Sequence, residues 1–322
     1  MPGRSYFGGL MSGEKPFRSL FGPIRSRRLG LSLGIDLVPE KTCCYDCHFC
    51  QIQIRSTLTC ERRDYVPVAS VLAELDCWLA AGGQADAITL SGSGEPTLHA
   101  SFGDVLSGIR TRTSIRKVLL SNGALFSRPE VRAAALQADI VKVTLSAWDQ
   151  NSWESLHRPH QNLRFNDVLD GFHAFQSAFQ GALWVEVFLV AGFNDTEASV
   201  RRIAGLASGL KPQKIQLNTA TRPPIDRKLM AVEAGVLQRM AGLFLPVAET
   251  LDVVAPLSTE TVQAVSTSDD DLVAMLNRHA APLAQVAAWL NTSPEQAATR
   301  MEMLIKSGRV KRLTQAGETY FT

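Results

Sequence analysis

Cys43, Cys47 and Cys50 lie in the segment KTCCYDCHFCQ with the spacing C-x3-C-x2-C. Three thiolates on one loop can each take one iron of a [4Fe–4S] cluster, leaving the fourth iron open to a small molecule. The competing chemistry is zinc, with Cys44 or His48 as the missing ligand. Adjacent Cys43 and Cys44 do not easily reach one ion, His48 sits inside the loop, and no second CxxC pair follows. The iron–sulfur reading is preferred, and spacing alone leaves both Cys43 and Cys44 open as first ligand. The second chemical signal is Ser91-Gly92-Ser93-Gly94-Glu95-Pro96. Its glycines let backbone approach a ligand closely, and Glu95 offers a carboxylate to an ammonium group. Read alone, the segment is a Gly-rich strand-to-helix turn.

The elements that must position these residues are short apolar runs alternating with helical patterns. Val/Ile/Leu-rich runs at 33–38, 87–91, 117–121, 140–145, 184–190 and 214–218 read as strands of a parallel sheet buried on both faces. Helical patterns fall at 68–81, 102–110, 129–137, 165–179, 198–206 and 232–245, with Pro129 opening one and Asp195-Thr196 capping another. Six βα units in a row predict an α/β architecture, a partial (β/α)6 TIM-like barrel. Such barrels carry their active-site loops at the carboxyl ends of the strands, where the cysteine loop and SGSGEP both fall. Beyond residue 258 the chain turns polar and Ser/Thr-rich. Helical patterns at 270–279, 283–290 and 294–306, then RVKRL and ETYFT around TQAG, predict a small C-terminal winged helix-turn-helix domain. The expected organisation is a flexible segment 1–20, a barrel 21–256, a linker 257–268 and the winged helix 269–322. Lys306, Arg309, Lys311 and Arg312 bring positive charge to the hairpin region, as phosphate binding requires. Winged helices also serve as protein-docking modules.

The chain has 322 residues, 45% of them hydrophobic, and a net charge of +2, so global charge singles out no partner. Residues 1–63 carry ten Lys and Arg against five Asp and Glu, which suits an anionic substrate as well as a solvated basic face. No apolar run reaches membrane-spanning length and no signal pattern opens the chain, so a cytoplasmic protein without membrane partners is expected. Four of the six cysteines fall within eight residues, poor geometry for disulfides and suited to a reducing compartment. Cys77, in VLAELDCWLA, reads as a buried helix residue.

The cysteine triplet, Phe49 before its last member, and Gly94-Glu95-Pro96 together resemble the radical S-adenosylmethionine (SAM) superfamily, over about residues 21–255. The resemblance implies that Cys43, Cys47 and Cys50 ligate a [4Fe–4S] cluster whose open iron is chelated by SAM. Reductive cleavage of SAM then yields a 5′-deoxyadenosyl radical that abstracts hydrogen from a substrate. It implies further that Ser93, Gly94 and Glu95 meet the methionine amino group and the backbone at Phe49 meets adenine. Ser121, Asn122 and Ser146 fall where the family contacts carboxylate and ribose, although turn and capping chemistry explains each singly. An electron donor of flavodoxin or ferredoxin type is implied as well. FGPIRSRRLGLSLGIDLVPEKTCC, SGSGEPTL, Arg158-Pro159-His160 and NTATRPP look like the branch similar to wyosine-type tRNA-modifying enzymes. This chain lacks the extra N-terminal cysteines of the wyosine enzymes. That departure does not carry the wyosine reaction over to this chain; the branch resemblance and the basic N-terminal segment make a tRNA base the expected substrate, with Arg25, Arg27, Arg28, Arg158 and Arg222 to grip an anion. A peptide docked on the winged helix is the alternative, and a redox-sensing DNA-binding regulator is the rival of another class. Lys142 and Lys41 are candidates for a Schiff base, with a structural ion pair as the plainer reading.

Overall fold

Alternation within the apolar runs sorts their side chains onto the two faces of one sheet. The computed structural model describes residues 19–26, 28–39, 41–53, 56–244, 250–253, 268–315 and 317–322. The chain opens with β1 (Leu20–Ser26), β2 (Gly30–Ile35) and the short β3 (Thr42–Cys43) and β4 (Thr57–Leu58). Next come α1 (Val68–Ala80), β5 (Ala87–Leu90), α2 (Phe102–Arg110), β6 (Arg116–Ser121), α3 (Pro129–Ala135) and β7 (Ile140–Thr144). Two helices, α4 (Gln150–His157) and α5 (Phe165–Ala178), lead to β8 (Ala182–Leu189). The units α6 (Glu197–Gly209), β9 (Lys214–Thr219), α7 (Ala234–Ala241) and β10 (Thr250–Val253) follow. One sheet orders them β1-β2-β5-β6-β7-β8-β9-β10, parallel throughout except for β1 against β2.

One face of this α/β sheet carries Ile35, Leu90, Leu119, Val141, Val185 and Ile215, packed with Val71, Leu106, Phe172 and Ile203 of the covering helices. The opposite face carries every second residue. Its lower end is an apolar plug of Leu29, Ala87, Val118, Ile140 and Trp184. Above the plug the register turns polar. Thr144 pairs with Glu186, Glu186 with Gln216, and Phe188 with Asn218. A glutamate inside ALWVEVFL breaks an otherwise apolar strand, and such a residue must find partners or stay near water.

The six sequence-predicted strands appear within a few residues of their expected ends. The antiparallel β1 and the additional parallel strand β10 were not anticipated, because Gly22 and Pro23 interrupt the apolar run of β1 and β10 is only four residues long with Asp252 inside it. Helix α4 was also missed: only Trp153, Leu156 and His157 of QNSWESLH are buried, too few for a visible apolar stripe. Its start is set by a capping box between Asp149 and Ser152. Cys77 corrects an expectation, since it is exposed; α1 buries the stripe through Val71 and Leu75, and Cys77 projects away from it.

Residues 268–322 form α8 (Asp269–Arg278), β11 (Ala281–Pro282), α9 (Leu283–Leu290), α10 (Pro294–Lys306), β12 (Arg312–Gln315) and β13 (Glu318–Phe321). The three strands make a small antiparallel sheet, β11-β13-β12, over a core of Leu272, Leu276, Val286, Trp289, Met301 and Phe321. Ser293 caps α10 through a capping box with Gln296. The expected flexible segment falls largely on residues 1–18 and the expected linker largely on residues 254–267, both outside the described residues. No described helix is long and apolar enough to cross a membrane.

Candidate functional site

The loop after β2 brings the cysteines to the carboxyl end of the sheet, where strands leave and helices begin. Burial, together with Glu95 and Cys50 nearby, pushes the Cys43 thiol up to about 12. Burial likewise pushes Cys47 well above the ordinary value, with Cys43 and Cys50 adding to it. Cys43 and Cys47 are therefore protonated as they stand, and a cationic metal centre would have to displace those protons to hold them as thiolates. Cys44 points elsewhere. It is fully buried in the main core and hydrogen-bonds the thiol of Cys60. That contact turns Cys44 away from Cys43, Cys47 and Cys50, whose thiols lie close enough to act on one another. Among the described residues no three His, Cys, Asp or Glu side chains gather to hold a single ion. Such a donor set fits a cubane, in which each thiolate keeps its own iron, better than one zinc ion.

Side chains around the sulfurs are ordered. Asn122 Nδ2 donates to Cys43 Sγ at 3.3 Å, and the Tyr45 N–H lies 3.5 Å from the same sulfur. His157 Nδ1 lies 3.2 Å from Cys47 Sγ. Burial lowers His157 to about 3, so the ring is neutral and has one N–H to offer. Hydrogen bonds to ligating sulfurs set a cluster's reduction potential, and Asn122 and His157 stand where they could do so. His157 was missed in sequence, where only the following Arg158-Pro159-His160 stands out. Phe49 stacks on Phe188 at 4.3 Å and packs edge-on against His157, which fixes the loop backbone beside it.

The SGSGEP loop is pressed onto the cysteine loop. Glu95 N–H donates to the Thr42 carbonyl at 2.9 Å, and a Cβ on Gly94 would sit 2.0 Å from that same oxygen. Gly94 is therefore required for the close approach. Glu95 is 2% exposed, and its carboxylate accepts from Thr97 N and Oγ1, Ser121 Oγ and Asn122 N. Burial pushes its pKa up, partly offset by those bonds from Thr97, Asn122 and Ser121. Glu95 thus holds the end of β6, and through it Asn122 beside Cys43. Ser93 donates from both N and Oγ to Asp36 Oδ2, at 2.8 and 2.5 Å.

Two expected ligand contacts are already engaged within the protein. Ser121 Oγ gives its proton to Glu95 and accepts from Gly123 N. Ser146, 1% exposed, accepts from Phe188 N, joining the ends of β7 and β8. Asn194 accepts from Val190 N and donates to Ser146 O and Phe188 O, and Thr196 caps α6.

Below this rim lies a polar belt that sequence reasoning reached only at Lys142 and Arg28. Lys142 Nζ pairs with Glu186 Oε1 at 2.7 Å, Asn218 Nδ2 bonds the same oxygen at 2.5 Å, and Arg28 Nη2 reaches Asn218 Oδ1 at 2.8 Å. Gln216 sits beside them, 1% exposed, with neither amide atom hydrogen-bonded. The ion pair explains Lys142, as the plainer reading held. Lys41 lies apart, paired with Asp46 at 3.8 Å, and Arg158 pairs with Asp46 as well. Arg27 and the side chain of Arg25 lie outside the described residues.

Burial alone raises Glu186, but Lys142, Arg28 and Asn218 outweigh it and hold the carboxyl below its ordinary value. The resulting stability is present above the unfolded-state value and is lost as pH falls through the folded one. Lys142→Met reverses the sign by stranding a buried charge. It is expected to cost about 3–5 kcal/mol at neutral pH. The deficit shrinks below about pH 4, where Glu186 is protonated in both states. Urea unfolding at the two pH values checks this.

A mostly parallel α/β sheet with a three-thiol loop beyond its second strand defines an iron–sulfur protein with its site at the strand ends. The family model described as the Radical SAM superfamily matches residues 37–207. A UPF0026 protein of Synechocystis sp. is 35% identical over 215 residues, 66% of this chain and 80% of that protein. The GTPase Obg of Brachyspira hyodysenteriae is 29% identical over 91% of this chain, which spans 43% of that protein's length. Among solved structures, Streptococcus suis SuiB bound to precursor peptide SuiA is similar at 12% identity, covering 70% of this chain and 50% of that one, with a TM-score of 0.54. TYW1 with a lysine-pyruvate adduct bound is similar at 15% identity, covering 66% and 72%, with a TM-score of 0.49. The chain belongs to the radical SAM superfamily and groups there with the UPF0026 proteins. It is an enzyme, and its cofactors are a [4Fe–4S] cluster and SAM. The regulator reading is thereby set aside.

Proposed function

We propose that Cys43, Cys47 and Cys50 hold the cluster and that SAM lies across the rim of a partial (β/α)6-type barrel. One observation carries the reading. Three thiols face the strand ends beside the SGSGEP loop, while the fourth cysteine of the segment is turned into the core against Cys60. When bound, the cluster supplies the electron that splits SAM and so starts hydrogen abstraction from the substrate.

The protein's own contribution is positioning and exclusion of water. The backbone at Ser93 and Gly94, with the remaining acceptor capacity of Glu95, receives the methionine ammonium. Asn122 stands beside Cys43, between cluster and cofactor, and the backbone at Phe49 borders the adenine. Ser121 acts by holding the end of β6 through Glu95, and Ser146, which accepts from Phe188 N, keeps its O–H to offer the cofactor. The substrate carbon enters from the barrel interior, over the belt of Lys142, Glu186, Asn218 and Arg28. In that apolar setting the belt fixes orientation by charged hydrogen bonds.

The substrate proposed is a tRNA base, on the branch likeness of residues around Arg158-Pro159-His160 and Asn218–Pro224 and on the basic N-terminal segment. The three helices and small sheet of residues 268–322 serve as a winged helix, with a linker at 257–268. The electron donor is of flavodoxin or ferredoxin type. Anaerobically reconstituted protein with dithionite and SAM is expected to release 5′-deoxyadenosine, and failure to do so removes the reading. Bulk tRNA is expected to bind with affinity falling steeply as salt rises. Absent or salt-insensitive tRNA binding, with turnover on a peptide, transfers the substrate to the protein class.

A further inference from the structure

The C-terminal unit reaches the rim of the barrel through one buried charge. Asp36, one residue past β2, is 1% exposed, and its Oδ2 accepts at once from Ser93 N, Ser93 Oγ and Arg278 Nε, the last at 3.0 Å. Arg278 is the final residue of α8, its side chain 11% exposed. The guanidinium lies 4.8 Å over the Phe21 ring, and its Nη1 donates to Ala274 O. Phe21 in turn covers Gly34, where a Cβ would sit 2.1 Å from the ring. Gly92 holds φ +145°, and a Cβ there would fall 2.3 Å from the Asp36 carboxylate. The loop that begins SGSGEP is thus folded around Asp36, and Asp36 is neutralised from a different domain.

The same unit is fastened at the other side of the sheet. Arg222 Nη1 lies 3.4 Å from His279 Nδ1, and Tyr320 Oη donates to the Thr221 carbonyl at 3.3 Å. Burial, with Arg222 and Arg278 alongside, lowers His279 to about 3, so that ring is an uncharged partner. The contacts therefore join β1 and β2 near one edge of the sheet to the loop after β9 near the other. A docking module that moved freely would need none of this.

We propose that Arg278 is a positioning residue of the SAM site, acting through Asp36 to fix Ser93 and Gly94 where the methionine ammonium is received. The C-terminal unit is then a structural part of the cofactor site. A buried carboxylate left without its cation must shed its charge or admit water. Either change loosens the two bonds from Ser93 that shape the loop, even though Arg278 itself touches no cofactor. The inference rests on the assignment of Ser93, Gly94 and Glu95 to SAM, and its test separates the two.

Full-length protein carrying Arg278→Ala, Arg278→Lys or Asp36→Asn is reconstituted anaerobically beside the wild type. SAM affinity is read from the change SAM causes in the EPR spectrum of the reduced cluster. Arg278→Ala and Asp36→Asn are each expected to weaken SAM roughly tenfold or more at unchanged iron content, the size typical of losing a group one layer behind a ligand. Arg278→Lys recovers part of the loss, and the double variant Arg278→Ala/Asp36→Asn is no weaker than the worse single. In apo protein, amide exchange at Ser93 rises in Arg278→Ala while exchange within β7 and β8 does not. Unchanged SAM affinity and unchanged Ser93 exchange in Arg278→Ala overturn the proposal, as does loss of protection spread evenly over the sheet. A wild type that holds its cluster but shows no response to SAM overturns the underlying assignment instead.

Discussion

Replacing Cys43, Cys47 or Cys50 with alanine is expected to abolish SAM cleavage and to leave purified protein with little bound iron and sulfide. On the proposed assignment each thiolate would hold its own iron, and two protein ligands would not retain the cubane against loss to solvent. Cys44→Ala separates this requirement from mere crowding of sulfurs. Its thiol is fully buried and bonded to Cys60, so its loss opens a small void in the core and removes a weak hydrogen bond. A cost of about 1–2 kcal/mol follows, with cluster content preserved. Iron and acid-labile sulfide analysis of all four variants, with 5′-deoxyadenosine release, checks it. A cluster that survives Cys43→Ala and is lost in Cys44→Ala would reverse the ligand assignment.

The second large effect belongs to Glu95. Its carboxylate organises four donors from Thr97, Ser121 and Asn122 in a buried setting. In Glu95→Ala those donors lose their acceptor, and Asn122 is released from its position beside Cys43. Stability is expected to fall by about 1–3 kcal/mol. If Glu95 receives the methionine ammonium as proposed, SAM affinity is expected to fall by about 2 kcal/mol or more, roughly 30-fold, with the loss of a buried charged partner. Glu95→Gln keeps the shape but turns one acceptor into a donor facing donors, so it is expected to lie nearer to alanine than to the wild type. Equilibrium binding of SAM and thermal melting measure the two effects separately. A variant that melts early yet binds SAM like the wild type would leave Glu95 as a clamp for β6 alone.

Each prediction joins a residue legible in the sequence to partners that were not. The cysteine spacing, the glycines of SGSGEP and the six apolar runs were visible because each is a short-range pattern: 2 or 3 intervening residues between the cysteines, unbroken Val/Ile/Leu-rich runs for strands, helical spacing between them. The cap at Thr196 was readable for the same local reason. Strand β1 escaped because its partner β2 is antiparallel in a sheet that announces itself as parallel. Glu186, alone in an apolar strand, carried a signal that went unused.

What the sequence determined on its own was the chemistry: which residue types crowd together, and that an α/β frame would present them at strand ends. Only the tertiary structure decided that Cys44 turns to Cys60, what Glu95 grips, and that Arg278 pairs with Asp36 from 242 residues away. The physical reason lies in the range of the forces concerned. Hydrogen-bond caps and hydrophobic periodicity act between near neighbours and leave a pattern in the chain. Desolvated charges are satisfied by whichever partner the packed fold brings within reach, and sequence distance places no limit on that choice.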